Sequence, residues 1–227
     1  QPMPPPSRRR PLLRRPPLGD LMYEELEDVE FPDDIHVTST GISNEKLGMW
    51  VYLASDCLLF GGMISAYLVY KNRPAQVAGL AGSDKIPSEF FDIPFTSMTS
   101  FILLMSSLTM VLAVNAIIRG DMARMRLWLT STAILGAMFL GGQAYEFTMF
   151  VTQDGLGFTT NVASSAFFGL TGLHGVHVLV GVIMLLSMVA LSFRRNMHAE
   201  AVEVVGLYWH FVDIVWVLIF TVVYLIP

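Results

Sequence analysis

A single cysteine, Cys57, stands in 227 residues, so no disulfide can form within the chain and no multi-cysteine metal site can be built from it. Charge is also scarce. Only 15% of the residues are Asp, Glu, Lys or Arg, where a soluble domain carries about 25%. That shortage excludes a disordered chain and argues against an ordinary water-soluble enzyme. The formal net charge of -5 gives no basic surface for nucleic acid. No phosphate-binding glycine loop, dinucleotide fingerprint or Ser/His/Asp hydrolase arrangement is present. No internal repeat is evident.

Long apolar runs are what the chain has instead. Five occur, at about 47–70, 94–118, 127–151, 164–192 and 204–226. At about 1.5 Å per residue each crosses roughly 30 Å of hydrocarbon as a helix. Lipid offers backbone groups no partner, so such runs fold as helices. The fold class expected is an all-α, polytopic membrane bundle of five transmembrane helices over 47–227. Residues 1–46 read as a polar tail, Pro/Arg-rich to Pro17 and acidic from Asp20 to Asp34. No apolar core follows the arginines, so the tail does not read as a secretory signal.

Lys and Arg placement sets an expected orientation. Arg8, Arg9, Arg10, Arg14, Arg15, Lys46, Arg119, Arg124, Arg126, Arg194 and Arg195 fall on one side, and only Lys71, Arg73 and Lys85 on the other. Eleven against three places the N-terminus inside and the C-terminus outside. Arg8, Arg9, Arg10, Arg14 and Arg15 are then expected to contact anionic lipid or an acidic partner surface. Ala133, Ala137 and Gly141, Ser165 and Gly169, and the Gly61-Gly62 pair are candidate sites of close helix approach.

Ionisable groups inside a bilayer are costly and therefore informative. Here they are Asp56, Glu146, His174, His177, His210 and Asp213, with Gln143 beside Glu146. His174 and His177 share a helix face, as do His210 and Asp213. His177 and His210 sit at different depths, and no Glu-x-x-His pair repeats on two helices, so neither a haem nor a dinuclear site is expected. Asp56 lies deep in the first run. It reads either as a proton-exchanging or modifiable carboxyl or as an interhelical bond, with His174 or His177 as its expected partner. Tyr208, Trp209 and Trp216 are expected to contact lipid headgroups or a neighbouring subunit.

Four segments carry a family resemblance: GMWVYLASDCLLFGGM at 48–63, FLGGQAYEF at 139–147, FFGLTGLHGVHVLVGV at 167–182 and YWHFVDIVWVLIF at 208–220. From about residue 46 to the C-terminus the chain resembles subunit III of the haem-copper oxidases. The resemblance implies a five-helix form of a bundle that has seven helices in longer members. It implies a non-catalytic subunit that binds no haem or copper, packs on subunit I, holds phospholipid, supports proton uptake and protects the catalytic site during turnover. Haems and copper would reside in partner subunits I and II, and the complex would reduce O2 to water while translocating protons. Larger assembly into a supercomplex is compatible with this, and a bacterial inner membrane is the expected location.

By the same resemblance Asp56 falls where many members have a carbodiimide-reactive glutamate, one methylene longer. His174, His177 and Glu146 match family positions, and His210 and Asp213 lie in a Trp-His-Phe-Val-Asp stretch. There they serve packing, lipid contact and internal polar bonding. Subunit III of a quinol oxidase, a homologue attached to a nitric oxide reductase, and a small proton-coupled transporter are the alternatives. No inverted repeat or paired broken helices favour the transporter.

Overall fold

The computed structural model describes residues 43–71, 92–153, 155, 157, 158, 162–194 and 197–226. The tail arginines Arg8, Arg9, Arg10, Arg14 and Arg15 lie outside the described residues, so their expected contacts do too. Five helices long and apolar enough to cross a membrane are present among the described residues. They are α1 (Asn44–Tyr70), α2 (Ile93–Ile118), α3 (Met122–Thr152), α4 (Val162–Ser192) and α5 (Ala199–Phe220). α5 runs on into a π-helical turn, Thr221–Leu225.

Local chemistry sets the boundaries. Pro94 sits in the first turn of α2, and the Asp92 side chain caps it by accepting from the Phe95 N–H. α2 ends in a Schellman motif. The Gly120 N–H donates to Ile117 O and the Asp121 N–H to Ala116 O, with Gly120 at φ 77°. Asp121 then caps α3 by accepting from the Arg124 N–H at 3.0 Å. This turn makes α2 and α3 an antiparallel hairpin. It also starts α3 at Met122, ahead of the apolar run. α5 likewise starts at Ala199, before its apolar run, with an extended His198 as N-cap.

α2 packs on α3, α3 on α4, α4 on α5, and α5 back on α2, closing a ring of four. α1 stands further off and reaches the ring through long side chains. Ion pairs and hydrogen bonds fix the alternation of direction. Lys46 near the start of α1 pairs with Glu203 near the start of α5 at 2.7 Å. Arg126, early in α3, donates to Ser192 at the end of α4 and stacks over Phe193. At the opposite end the Lys71 Nζ donates to Ile226 O.

Two tryptophans of α5 tie it to α2. The Trp209 Nε1–H donates to Ser106 Oγ at 2.9 Å, and the Trp216 Nε1–H to Ser100 Oγ at 2.8 Å. Each serine donates its own proton back to its helix, Ser106 to Leu103 O and Ser100 to Thr96 O. The indole and hydroxyl protons of these two pairs are therefore used inside a space with no water to offer. The Trp209 ring fills the slot between Gly136 of α3 and Gly181 of α4.

The small-residue expectation is corrected by this packing. Among the described residues, nothing beyond their own helix turns crowds a Cβ at Gly61, Gly62 or Gly141, and Ala137 is exposed. Ala133 is buried, and Gly169 meets Met63 of α1. The close approaches are made at Gly136, Gly142, Gly175 and Gly181. Small residues occur on more than one face of α3, and spacing alone does not say which face turns inward.

Candidate functional site

Asp56, Glu146, His174 and Asp213 are all buried, although α1 is otherwise the least enclosed helix. Asp56 points at α4. Its Oδ2 lies 3.5 Å from His177 Nε2, within ion-pair reach but without a formed hydrogen bond. His177 Nδ1 is 2.8 Å from Leu173 O. A carbonyl oxygen only accepts, so Nδ1 carries a hydrogen and donates. Nε2 then meets the carboxyl favourably only if one proton lies between them, on either partner. Around this pair the Tyr208 hydroxyl donates to His177 O at 2.9 Å, Tyr52 stacks on Tyr208, and Phe60 sets its edge against the imidazole.

His174 is fully buried and is not the partner of Asp56. Its ring stacks on Trp216 at 4.8 Å, with Phe139 and Phe60 edge-on. Neither ring nitrogen has a hydrogen-bond partner among the described residues. One turn along, the Gln143 Nε2–H donates to Thr171 O, and the amide lies flat against Gly175, where a side chain would collide with it.

Glu146 serves the far end of the bundle. Its Oε1 accepts from Thr96 Oγ1 at 2.8 Å and from the Tyr224 hydroxyl at 3.3 Å. The π-helical turn delivers Tyr224, widening the last turn of α5 so that its ring reaches across to α3. One carboxylate thus joins α2, α3 and α5.

His210 and Asp213 belong to a separate group. His210 Nδ1 and Ser107 Oγ are 2.6 Å apart, joining α5 to α2. Asp213 has no hydrogen-bond partner at either carboxyl oxygen among the described residues. A cavity of about 510 Å³ opens between α1, α2 and α5, lined by Lys46, Val114, Asn115, Glu203, Gly206 and His210 among others. Among the described residues no three His, Cys, Asp or Glu side chains gather as a metal site.

Tyr208, Trp209 and Trp216 are corrected from lipid or subunit contacts to core residues. Their exposures are 2%, 0% and 3%. Their polar tips find partners in α4 and α2, so they have no need of the headgroup region. The hydroxyls that complete the site, Thr96, Ser100, Ser106 and Ser107, went unremarked in the sequence. Serine and threonine are ordinary in membrane helices, and only spacing opposite Trp209 and Trp216 hinted at them. The Lys46–Glu203 pair was legible only as two charges at the rims of their runs.

This arrangement of five helices, with the paired histidines on α4 and the Trp-His-Phe-Val-Asp stretch on α5, can be set beside known proteins. Residues 28–226 match the family described as cytochrome c oxidase subunit III. The chain belongs to that family. Cytochrome c oxidase subunit 3 of Bacillus subtilis is 36% identical over 90% of this chain and 97% of its own length. The subunit of the same name from Bacillus sp. (strain PS3) is 38% identical over 80% of this chain and 86% of its own. Cytochrome bo(3) ubiquinol oxidase subunit 3 of Pseudomonas aeruginosa is 35% identical over 85% of this chain and 90% of its own. The match begins at residue 28, upstream of the point near residue 46 where the recognisable motifs start. It therefore takes in part of the acidic stretch. As a subunit III with five membrane-crossing helices, the chain is an integral bacterial membrane protein.

Proposed function

We propose that this chain is the non-catalytic third subunit of a bacterial proton-translocating terminal oxidase that reduces O2 to water with electrons from cytochrome c. The observation that carries the reading is the family match over 28–226, in which all five helices are included. The geometry supports a supporting role. Glu146, His177 and His210 each join helices, and the tryptophans lock α5 to α2. Subunits I and II, holding the haems and copper, are the proposed partners. Phospholipid packs against the outward apolar faces. The N-terminus lies in the cytoplasm, by the distribution of Lys and Arg.

A quinol donor is the second reading, favoured by the Pseudomonas aeruginosa relative, which is named as part of a ubiquinol oxidase. Affinity purification of this chain in mild detergent tests both. The expected preparation contains a large haem-bearing partner, shows reduced-minus-oxidised haem bands, and consumes O2 with reduced cytochrome c. Turnover with quinol alone assigns the second reading. A colourless chain without partners, under conditions that preserve such complexes, contradicts both.

A further inference from the structure

We propose that α1 is a hinged flap, anchored to the ring at its Tyr67 end and strapped down at its other end by the Lys46–Glu203 ion pair. The four ring helices approach one another closely, and α1 approaches none of them to that degree. Its hold on the ring is therefore a matter of single side chains, and these are unevenly spread. The buried residues of α1 are Leu53, Asp56, Phe60 and Tyr67. From Asn44 to Tyr52 no residue is buried, and Leu47, Trp50 and Val51 are exposed.

The Tyr67 end is anchored repeatedly. Phe60 sets its edge against His177, and Met63 Cε reaches Gly169 of α4. Tyr67 is buried, and the Lys71 Nζ donates to Ile226 O at 3.0 Å. The Asn44 end has less. Tyr52 stacks on Tyr208, and Met49 packs on the core. Beyond them the tie is Lys46 Nζ to Glu203 at 2.7 Å, with Glu200, one turn earlier on α5, adding to the attraction.

Behind the strap the bundle is not filled. The cavity of about 510 Å³ runs along α2 and α5, and among the described residues Lys46 is the one from α1 in its wall. Val114 and Leu207 line it, and Gly206 keeps its floor low. The ion pair therefore bridges a gap between α1 and α5 and does not sit on a packed interface.

Lipid is as apolar as the side chains at this end of α1. Tilting it outward exchanges protein contacts for lipid contacts with no hydrophobic penalty. The ion pair is then what selects the closed position. Its side chains are 33% and 32% exposed. A pair so exposed is weak enough to open and strong enough to bias a two-state equilibrium about fivefold. With the pair formed, α1 covers the Lys46 end of the groove. With it broken, that end opens sideways to the membrane while the Tyr67 end stays in place.

Distances between paired spin labels in the assembled complex test this, with Cys57→Ser as background and an oxidase lacking introduced cysteines as blank. One pair, Leu47→Cys and Leu127→Cys, spans from the Lys46 end of α1 to α3. The other, Leu68→Cys and Val151→Cys, spans the opposite end. All four positions are exposed. Lys46→Gln removes the attraction to both Glu203 and Glu200, and is expected to raise the longer-distance fraction of the first pair about fivefold. The second pair is expected to stay unchanged, and Lys46→Arg to keep the original distribution. Added salt screens the exposed pair, so it should lengthen the first distance in the chain with Lys46 and not in Lys46→Gln. That salt response needs no substitution of the strap, and it decides the matter should Lys46→Gln fail to assemble. A first distance indifferent to Lys46→Gln or to salt overturns the proposal. So does lengthening of both distances together, or Lys46→Arg behaving as Lys46→Gln. Both distances lie within this chain, so each outcome is independent of the electron donor.

Discussion

Replacing Gly136 with alanine is expected to destabilise the helix ring, and replacing it with leucine to remove the subunit from the purified complex. A Cβ on Gly136 would lie 2.5 Å from Trp209 Cη2 and 3.0 Å from Val182 Cγ2. The indole cannot retreat. Its other edge lies against Gly181, where a Cβ would come within 2.9 Å of the ring, and its N–H is held by Ser106. Overpacking of this kind costs about 1–3 kcal/mol. Displacing the indole adds the loss of a buried hydrogen bond, about 1–3 kcal/mol when one partner is left unsatisfied. Together these take a large share of a total stability of about 5–15 kcal/mol, and leucine, with a longer side chain in the same slot, takes a larger share than alanine. Gly141→Ala is the control on the same helix, because among the described residues nothing beyond its own helix turn stands within 4 Å of its Cβ. The measurement is the amount of subunit retained after solubilisation and the temperature at which it dissociates. Equal behaviour of Gly136→Ala and Gly141→Ala would contradict the packing.

The second large effect is expected at Asp56 and His177, and its pattern is more telling than its size. His177→Ala removes the group facing Asp56 Oδ2 and leaves Tyr52 as the remaining polar neighbour of the buried carboxyl, and breaking a buried pair in this way costs about 3–5 kcal/mol. The 3.5 Å separation puts the effect at the low end of that range. Asp56→Asn is expected to be mild. An amide N–H can donate to His177 Nε2 while His177 Nδ1 keeps its bond to Leu173 O. Asp56→Ala combined with His177→Ala should cost clearly less than the sum of the single changes, since neither partner is then stranded. Thermal dissociation of the four variants closes this cycle. Strict additivity would show that the two side chains merely lie near each other.

The membrane helices were plain in the sequence because length and hydropathy alone decide them. Their ends were less plain, for a reason visible at two places. α3 starts at Met122 because Asp121 caps it, and its first turns carry Arg124 and Arg126, polar residues that hide a helix start from any search for apolar runs. α5 starts at Ala199 and carries Glu200 and Glu203 before its apolar stretch. The intramembrane polar residues were equally easy to find, since so few exist. Their partners were not, because pairing depends on how each helix is rotated. His210 reaches Ser107 and Glu146 reaches Thr96, both across helix boundaries and through hydroxyls with no distinguishing pattern. The same rotation turned Trp209 and Trp216 from expected surface aromatics into the bolts of the core.

Deleting this chain from an otherwise intact oxidase tests most directly whether it supports catalysis without performing it. Haem and copper content and the initial rate of O2 consumption should be measured against the complete complex, followed by activity over successive turnovers. The expected result is unchanged metal content and a largely preserved initial rate, with activity then lost faster than in the complete complex. Loss of haem or copper on deletion, or a rate that is absent from the first turnover, would contradict a non-catalytic role.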